Sequence, residues 1–345
     1  MPWEPWRSAV QRALYGPAGF YRRAEGPAGH FRTSPHVGPD LARALLVLLG
    51  DVDAALGHPR RLDLVDVGAG RGELLVELRA QSGGARFGGR LRLLGVDLAD
   101  RPPGLPDDVG WADAVPPGLT GLVVANEWLD NVPVDVVEVG SDGPRLVLVD
   151  PASGAERLGG PADALDAEWL QRWWPVTEAA VGARAEVGRP RDDAWAGLVG
   201  SVTSGLAVGI DYGHVAADRA AGRYPAGTLA GYRDGRAVRP VPDGSCDVTA
   251  HVALDSCAAA GTAAGAADSV LTTQRAALLA LGVDGRLPDP ALAGCDPGGY
   301  AARLARSSRA AELLDPGSLG GFGWLVQCVG LALPRRFHQV SGTDS

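Results

Sequence analysis

The sequence contains no lysine, and its 32 basic residues, all arginine, are outnumbered by 41 acidic residues, which gives a formal net charge of −9. Together with the abundant glycine and proline, this indicates a compositional bias and not a functional signal. The lack of a basic surplus argues against a general nucleic-acid-binding protein, which would carry a basic stripe. It is compatible with an arginine-bearing or otherwise cationic partner, although net charge mainly affects solubility.

Cysteine pairs, long apolar runs and targeting signals are also missing. The four cysteines (Cys246, Cys257, Cys295 and Cys328) have no C-x-x-C spacing, which predicts free thiols in a reducing cytosol. No apolar run is long enough to span a membrane, and MPWEPWRSAV at the N-terminus lacks the regions of a signal peptide. We therefore predict a cytoplasmic protein with no membrane span and no metal, since His30 and His36 have no further ligand nearby in sequence.

Alternating strand and helix patterns over residues 60–150 predict an α/β fold with a doubly wound, mostly parallel sheet. We divide the chain into an N-terminal cap region (1–60) and a main domain (61–340), with an insertion lobe at about 136–197 and a loop at about 214–250. A β-hairpin is predicted around residues 141–144, and the Trp-bearing stretch 155–197 is predicted to be helical. SVLTTQ and GWLVQCVGLAL are predicted to complete the sheet.

The most informative stretch is LDLVDVGAGRGELLVEL, residues 62–78, in which an apolar strand leads through a glycine-rich turn into a helix. A dinucleotide-binding loop would have glycine where Glu73 stands, which disfavours a dehydrogenase. The spacing Asp66-x-Gly68-x-Gly70-x-Gly72, with Ala69 between the glycines, resembles motif I of class I S-adenosylmethionine methyltransferases. An ordinary strand-to-helix turn is the alternative.

Two further aspartates follow predicted strands of the same sheet. Asp97 stands close to the roughly 20-residue spacing at which an acidic residue meets ribose hydroxyls, although an aspartate that merely ends a strand is common. Asp113 is placed to accept from an adenine amino group, with Trp111 able to stack nearby. A surface loop is the alternative for Asp113.

LVVANEWLDNVPV brings Asn126, Glu127 and Asp130, beside Trp128, to the carboxyl edge of the sheet, where open α/β folds bind ligands. These residues predict a pocket for a polar acceptor, or a helix-capping cluster that begins at Asn126. The later strand GIDYG delivers further candidates to the same edge. They are Asp211 and Tyr212.

Seven segments in order resemble the MidA family, the complex I assembly type of S-adenosylmethionine-dependent methyltransferases. They are GHFRTSPHV, LVDVGAGRGELLVELR, VVANEWLDNVPV, GIDYG, GTLAGYR, DVTAHV and TTQRAALLALGV. The resemblance implies a class I methyltransferase sheet of seven strands, mostly parallel with an antiparallel edge strand, and helical and hairpin insertions that cover the acceptor. It implies S-adenosyl-L-methionine as cofactor, with Thr33, Ser34, Pro35 and Asn126 added to its binding residues. It also implies catalytic roles for Asn126, Glu127, Asp130 and His251. Trp128, Asp211 and Tyr212 would bind the substrate.

The resemblance also implies methylation of an arginine in a protein, as the mitochondrial family members modify a complex I subunit. The acceptor side departs from the family at His30, His36, Gly235 and Ala253, whereas the cofactor motifs are kept. Two alternatives stay open: a small-molecule O- or N-methyltransferase of a bacterial metabolite, and a non-catalytic assembly factor. A homo-oligomer is compatible with the sequence.

Overall fold

The computed structural model describes residues 3–17, 19–22, 34–83, 86–176 and 180–340. The chain forms two compact units, each built from three chain segments. The parallel-sheet unit comprises the described parts of Thr33–Asn126, Val199–Ile210 and Gly265–Ser345. The antiparallel-sheet unit comprises those of Met1–Arg32, Glu127–Leu198 and Asp211–Ala264. This division differs from the predicted segments 1–60 and 61–340, which stay a prediction.

The strands in chain order are β1 (Glu4–Pro5), β2 (Leu62–Val67), β3 (Leu91–Val96), β4 (Gly110–Ala112), β5 (Leu119–Asn126), β6 (Asp135–Gly140), β7 (Gly143–Val149), β8 (Glu156–Pro161), β9 (Arg184–Val187), β10 (Val202–Asp211), β11 (Gly213–His214), β12 (Ala230–Arg233), β13 (Arg236–Val238), β14 (Asp247–Thr249), β15 (Val252–Ala253), β16 (Asp268–Thr273) and β17 (Gly323–Val329).

The α-helices in chain order are α1 (Trp6–Tyr15), α2 (Ser34–Val37), α3 (Asp40–Ala55), α4 (Glu73–Gln81), α5 (Ala164–Trp173), α6 (Arg189–Gly200), α7 (Ala216–Ala220), α8 (Leu254–Ala263), α9 (Gln274–Ala280), α10 (Leu292–Cys295) and α11 (Pro297–Leu313). Short 3₁₀ turns occur at Phe20–Arg22, Leu129–Asn131, Leu319–Gly321 and Arg335–Phe337. In the described ranges, no helix is both long and apolar enough to cross a membrane.

The parallel-sheet unit is organised around a sheet with the strand order β16-β17-β10-β5-β2-β3-β4. Strands β10, β5, β2, β3 and β4 pair in parallel, and β16 pairs with β17 antiparallel at one edge. Every residue of β2 is buried, which explains its unbroken apolar character, because helices cover both faces of such sheets. The predicted fold class is confirmed, including the antiparallel edge and the two late strands.

Helix α3 shows how the core of this unit is coded. Its leucines at positions 41, 45, 48 and 49 recur at helical spacing and are all fully buried, as their periodicity predicts. They pack in one cluster with apolar residues of β2, β5 and β10. Burial of four such leucines contributes roughly 2 kcal/mol each before the entropy cost of ordering is subtracted.

The antiparallel-sheet unit has the strand order β1-β7-β6-β9, with β8 paired to β7. The hairpin predicted around residues 141–144 is confirmed, since β6 and β7 pair up to Gly140 and Gly143. The helical prediction for 155–197 is wrong in part, because this stretch also contains β8 and β9. Every residue of β8 is half-buried or exposed, and its sequence has no alternation of apolar and polar residues that would indicate a strand.

Candidate functional site

The glycine-rich turn between β2 and α4 is held in a conformation that requires glycine. Gly68, Gly70 and Gly72 have φ values of +73°, +56° and +79°, in the left-handed region that side chains disfavour. Gly72 is also the N-cap residue of α4. The turn therefore sits at the positive end of a helix, where backbone N–H groups can bind a ligand.

Asp97, the residue after β3, is tied to this turn by backbone hydrogen bonds. Its Oδ2 accepts from the N–H of Gly70 at 2.9 Å, and its Oδ1 accepts from the N–H of Ala99 at 2.8 Å. A carboxylate offers about four lone-pair positions, so each oxygen retains capacity for a further donor. The pair of oxygens suits two adjacent ribose hydroxyls.

Asp66 is the buried acid of the loop, with 4% of its surface exposed. Burial, followed by the neighbouring charges of Asp97 and Glu73, raises the pKa of Asp66 to about 8. A cationic ligand group would favour the ionised form, whereas a diphosphate would add like charge to the acids already present. The charges of the loop thus favour the ammonium of an amino-acid tail over a diphosphate.

The ends of four parallel strands bring the other predicted cofactor residues to one edge of the sheet. The register aligns Val67 with Val96 and Ala125, and Val96 with Ala112. Gly68, Asp97, Asp113 and Asn126 consequently follow or end neighbouring strands. Asp113 is exposed and Asn126 is half-buried. Trp111 is pinned by its indole N–H, which donates to Ala99 O at 3.0 Å.

Ser34 and Pro35 lie in α2, close to the glycine turn. His36 Nε2 in the same helix is 3.6 Å from Glu73 Oε1 in the first turn of α4. The Ser34 hydroxyl is fully buried and accepts from Gln274 Nε2 at 3.3 Å. Thr33, also predicted to bind the cofactor, lies outside the described residues, as does His30.

In the antiparallel-sheet unit, the predicted acceptor residues begin at Glu127, which has a φ of +51°. Such a backbone is strained for a side-chain-bearing residue by about 1–3 kcal/mol, and such strain concentrates at functional sites. The capping alternative is wrong: Asn126 ends β5, and the following 3₁₀ turn has Trp128 as its N-cap, without a side-chain hydrogen bond. Trp128 is half-buried.

Asp130 is the centre of a hydrogen-bond network. Its Oδ2 accepts from the Tyr212 hydroxyl at 2.5 Å and from Thr249 Oγ1 at 3.0 Å, and its Oδ1 accepts from Asn131 Nδ2 at 2.9 Å. Its backbone N–H donates to Asp211 Oδ2 at 3.1 Å. The predicted residues Asp130, Asp211 and Tyr212 are therefore in direct contact.

Burial sets the protonation of these acids. It raises the pKa of Asp130, and the hydrogen bond from Tyr212 opposes that rise in part. Burial and then the charge of Asp130 raise the pKa of Asp211 well above its ordinary value. The same two causes raise the pKa of Asp247 to about 7. We refer to Glu127, Asp130, Asp211 and Asp247 as the carboxylate cluster.

His251 lies beside the cluster within a group of aromatic rings. Its ring centroid is 5.3 Å from that of Tyr212 and 5.5 Å from that of Tyr224. Burial and then the charge of Arg191 lower the pKa of His251, so its imidazole is neutral at pH 7. His214, whose ring centroid is 6.5 Å away, has a pKa lowered to about 3 by burial and then by Arg219.

Several residues of this network were not predicted from sequence. Asp247 and Thr249 stand in DVTAHV, and Thr228 stands in GTLAGYR, so the family segments could have indicated them. Tyr21, whose hydroxyl donates to Asn131 Oδ1 at 2.5 Å, and Arg191 lie in stretches without such a signal.

Comparison with known proteins identifies the family. Residues 90–272, more than half of the chain, match the family model described as "putative S-adenosyl-L-methionine-dependent methyltransferase". The chain belongs to this methyltransferase family. Its predicted cofactor, S-adenosyl-L-methionine, is that of the family. No curated protein matches the chain.

Two solved structures of COG1565 superfamily proteins from Burkholderia thailandensis are similar to this methyltransferase over nearly its whole length. One, a "likely methyl transferase" bound to S-adenosyl-homocysteine, is 28% identical with a TM-score of 0.79, and the match covers 99% of this chain and 92% of the other. The second, an uncharacterised protein, is 28% identical with a TM-score of 0.77, covering 99% and 91%. The similarity supports both the predicted family and the predicted fold.

Proposed function

We propose that this methyltransferase modifies an arginine side chain of a protein, with the donor bound by the glycine turn and the acceptor recognised by the carboxylate cluster. One observation carries the acceptor assignment. Four acidic residues are gathered at the cluster, and Arg191 is the cation whose charge acts on Asp130 and Asp211. A bound guanidinium, with its planar fork of donors, would favour the ionised forms of these acids and match them in geometry.

The donor would be held by Asp66, Gly70 and Asp97, with Ala69, Gly68 and Gly72 shaping the turn and Ser34, Asp113 and Asn126 completing the set. S-adenosyl-L-methionine supplies an electrophilic methyl group on sulfonium when bound. Asp97 would orient the ribose through its two oxygens, and Asp66 would pair with the ammonium. The similar Burkholderia thailandensis protein, which was solved with S-adenosyl-homocysteine bound, supports a donor site of this kind.

Within the cluster, Asp130 and Glu127 would have different roles. Asp130 already accepts three side-chain hydrogen bonds, which suits it to hold Tyr212 and the loop in place. Glu127 is half-buried and carried on a strained backbone, which suits it to bind the acceptor directly. A guanidinium is protonated at neutral pH, so the attacking nitrogen must lose a proton as its new bond to the methyl carbon forms, and the neutral imidazole of His251 would accept that proton.

The small-molecule alternative is favoured by a different observation, the ring cluster around His251. Tyr212, Tyr224 and His214 surround this imidazole, and Trp174 stacks edge-on to His214 at 4.8 Å. Aromatic walls of this kind are typical of pockets for small ligands.

The cytoplasmic location and the lack of a nucleic-acid partner remain predictions.

The test uses S-adenosylmethionine labelled in its methyl group, incubated with the purified protein and bacterial lysate separated into proteins and small molecules. We expect label in protein, recovered as methylarginine after hydrolysis. Glu127→Gln should reduce labelling at least about 100-fold while leaving S-adenosylhomocysteine affinity unchanged. Glu138→Gln, which alters a carboxylate paired with Arg184 in the same unit, is the control and should label normally. Label confined to small molecules would replace arginine methylation with the alternative.

A further inference from the structure

Two charged residues that no sequence motif indicated are buried beside the proposed acceptor residues. Glu186 lies in β9, and Arg191 lies in the first turn of α6, five residues later along the chain. Each has 3% of its surface exposed. Burying charges is costly unless their hydrogen-bonding capacity is used, so the partners of each group show what it does.

Arg191 donates to four backbone carbonyls from two segments. Its Nη2 donates to Asp130 O at 2.6 Å, and its Nε donates to Val132 O at 3.1 Å. Its Nη1 donates to Ala250 O at 3.0 Å and to His251 O at 2.8 Å. Among the residues that the structure describes, the guanidinium forms no ion pair. It fastens the loop that carries Asp130 to the segment that carries His251.

Glu186 fixes the other side of His251 through a threonine. Its Oε2 accepts from Thr228 Oγ1 at 2.9 Å, and its Oε1 accepts from the N–H groups of Thr228 and Leu229 at 2.8 and 3.1 Å. Thr228 Oγ1 in turn accepts from the backbone N–H of His251 at 2.9 Å. The main chain of His251 is thus held at its N–H through Glu186 and at its carbonyl by Arg191.

We propose that Glu186 and Arg191 are positioning residues of the acceptor side, which set the main chain at His251 and Asp130 and thereby the orientation of the groups that handle the acceptor. The effect on catalysis rests on the proposed function. The hydrogen bonds that hold Asp130 and His251 all lie within the antiparallel-sheet unit and do not depend on it. Neither residue needs to touch the acceptor, and a displacement of about 1 Å at a reacting group is enough to cost about 100-fold in rate.

Arginine is chemically suited to this task and lysine is not. A guanidinium presents five donors in a rigid plane, whereas an ammonium is a point charge with three donors on a flexible stem. Arg191→Lys keeps the positive charge but cannot span the four carbonyls. Arg191→Met removes both the charge and the hydrogen-bond donors, so comparison of the two variants separates the effect of charge from that of geometry.

The first readout is the NMR titration of the His251 imidazole, which requires no methyl acceptor. The charged and titratable groups that face this ring are Arg191 from α6, Tyr212 directly after β10, His214 in β11 and Tyr224 after α7. Because the charge of Arg191 disfavours the imidazolium, Arg191→Met should raise the pKa of His251, and Arg191→Lys should leave it close to that of the wild type.

The second readout is methyl transfer to the acceptor recovered from lysate. We expect both Arg191 variants to lose at least about 100-fold in kcat, with unchanged affinity for S-adenosylhomocysteine. Thr228→Val, which removes the hydroxyl but keeps the shape, should lower kcat about tenfold. Thr228→Ser, which keeps the hydroxyl, should retain most of the wild-type kcat. Arg189→Met is the matched control, since Arg189 lies in the same turn of α6 but pairs with Asp166.

The inference is overturned if Arg191→Met lowers only the stability of the protein while the His251 titration and the kcat stay at wild-type values. If Arg191→Met does not fold, Arg191→Lys and the Thr228 pair decide the question. If no acceptor is labelled even by the wild type, the proposed function fails. The His251 titration then still tests whether Arg191 acts on His251, so the two failures are distinguishable.

Discussion

The glycine turn and the carboxylate cluster hold their polar groups in opposite ways. The turn is one continuous stretch of backbone, whose N–H groups donate to Val96 O and to the Asp97 carboxylate at the end of β3. The cluster is drawn from segments around residues 21, 127–131, 211–212 and 247–251, and side-chain hydrogen bonds join them. The proposed donor site is therefore encoded locally, by backbone conformation, whereas the proposed acceptor site requires segments far apart in the sequence to come together.

The largest expected effect tests whether the backbone conformation of the glycine turn is needed for cofactor binding. Gly70→Val should weaken S-adenosylhomocysteine binding by at least about 1,000-fold, because valine cannot adopt the φ of +56° without displacing the turn. The measurement is calorimetric titration of the folded variant. Gly89→Val controls for strain alone, since Gly89 has a φ of +72° and open space where a Cβ would lie. Equal loss in both variants would mean that the turn has no special role.

The next effect concerns the acid of the turn. With the pKa of Asp66 raised to about 8, the carboxyl is protonated in the free protein at pH 7. If a bound ammonium ionises it, affinity for S-adenosylhomocysteine should rise about tenfold per pH unit from pH 6 towards 8. Asp66→Asn should flatten that dependence. A flat profile in the wild type would show that Asp66 does not exchange a proton on binding.

The same shift has a consequence for folding. In the unfolded chain Asp66 ionises near pH 4, so the stability that its protonated, folded form contributes is present below pH 4 and is lost as the pH rises to about 8. Denaturant unfolding of the free protein should therefore show a decline across this window that is smaller in Asp66→Asn.

Cooperativity within the carboxylate cluster is tested by a double-mutant cycle. Tyr212→Phe and Thr249→Val each remove a donor to the same oxygen of Asp130, so their unfolding free energies should be non-additive by about 1 kcal/mol. The control combines Tyr212→Phe with Ser153→Ala, which removes a hydrogen bond to Asp150 in an exposed turn. That pair should be additive, and additivity in both pairs would refute a coupled network.

The smallest effect concerns the strained backbone at Glu127. Glu127→Gly should be more stable to denaturant than Glu127→Ala by about 1 kcal/mol or less, because only glycine relieves the positive φ. Asp234, in the turn between β12 and β13, has the same φ of +51° and should show the same alanine–glycine difference. Methyl transfer should fall only in the Glu127 pair, and a transfer-competent Glu127→Gly would remove this residue from the acceptor site.

The contrast also explains what could be predicted from sequence. The strands of the parallel sheet, the glycine turn and the position of Asp97 after β3 follow from short periodic or spaced patterns, and helix α3 is indicated by four leucines at helical spacing. Strand β8 was missed because its residues are largely exposed. Arg191 and Glu186 were missed because their partners are backbone atoms or residues far along the chain, and neither leaves a spacing signal. Asp247 and Thr249 could be reached only through the family segments that contain them.

The interleaving of the two units also matters for how the protein is made. Strand β5 leaves the ribosome early, but its neighbour β10 follows only after residues 127–201, and β17 ends at Val329. The parallel sheet consequently cannot be finished during most of translation, and β5 waits with one hydrogen-bonding edge unpaired. Nascent chains of this enzyme should be clients of chaperones that shield strand edges, and slowing translation should not help them fold.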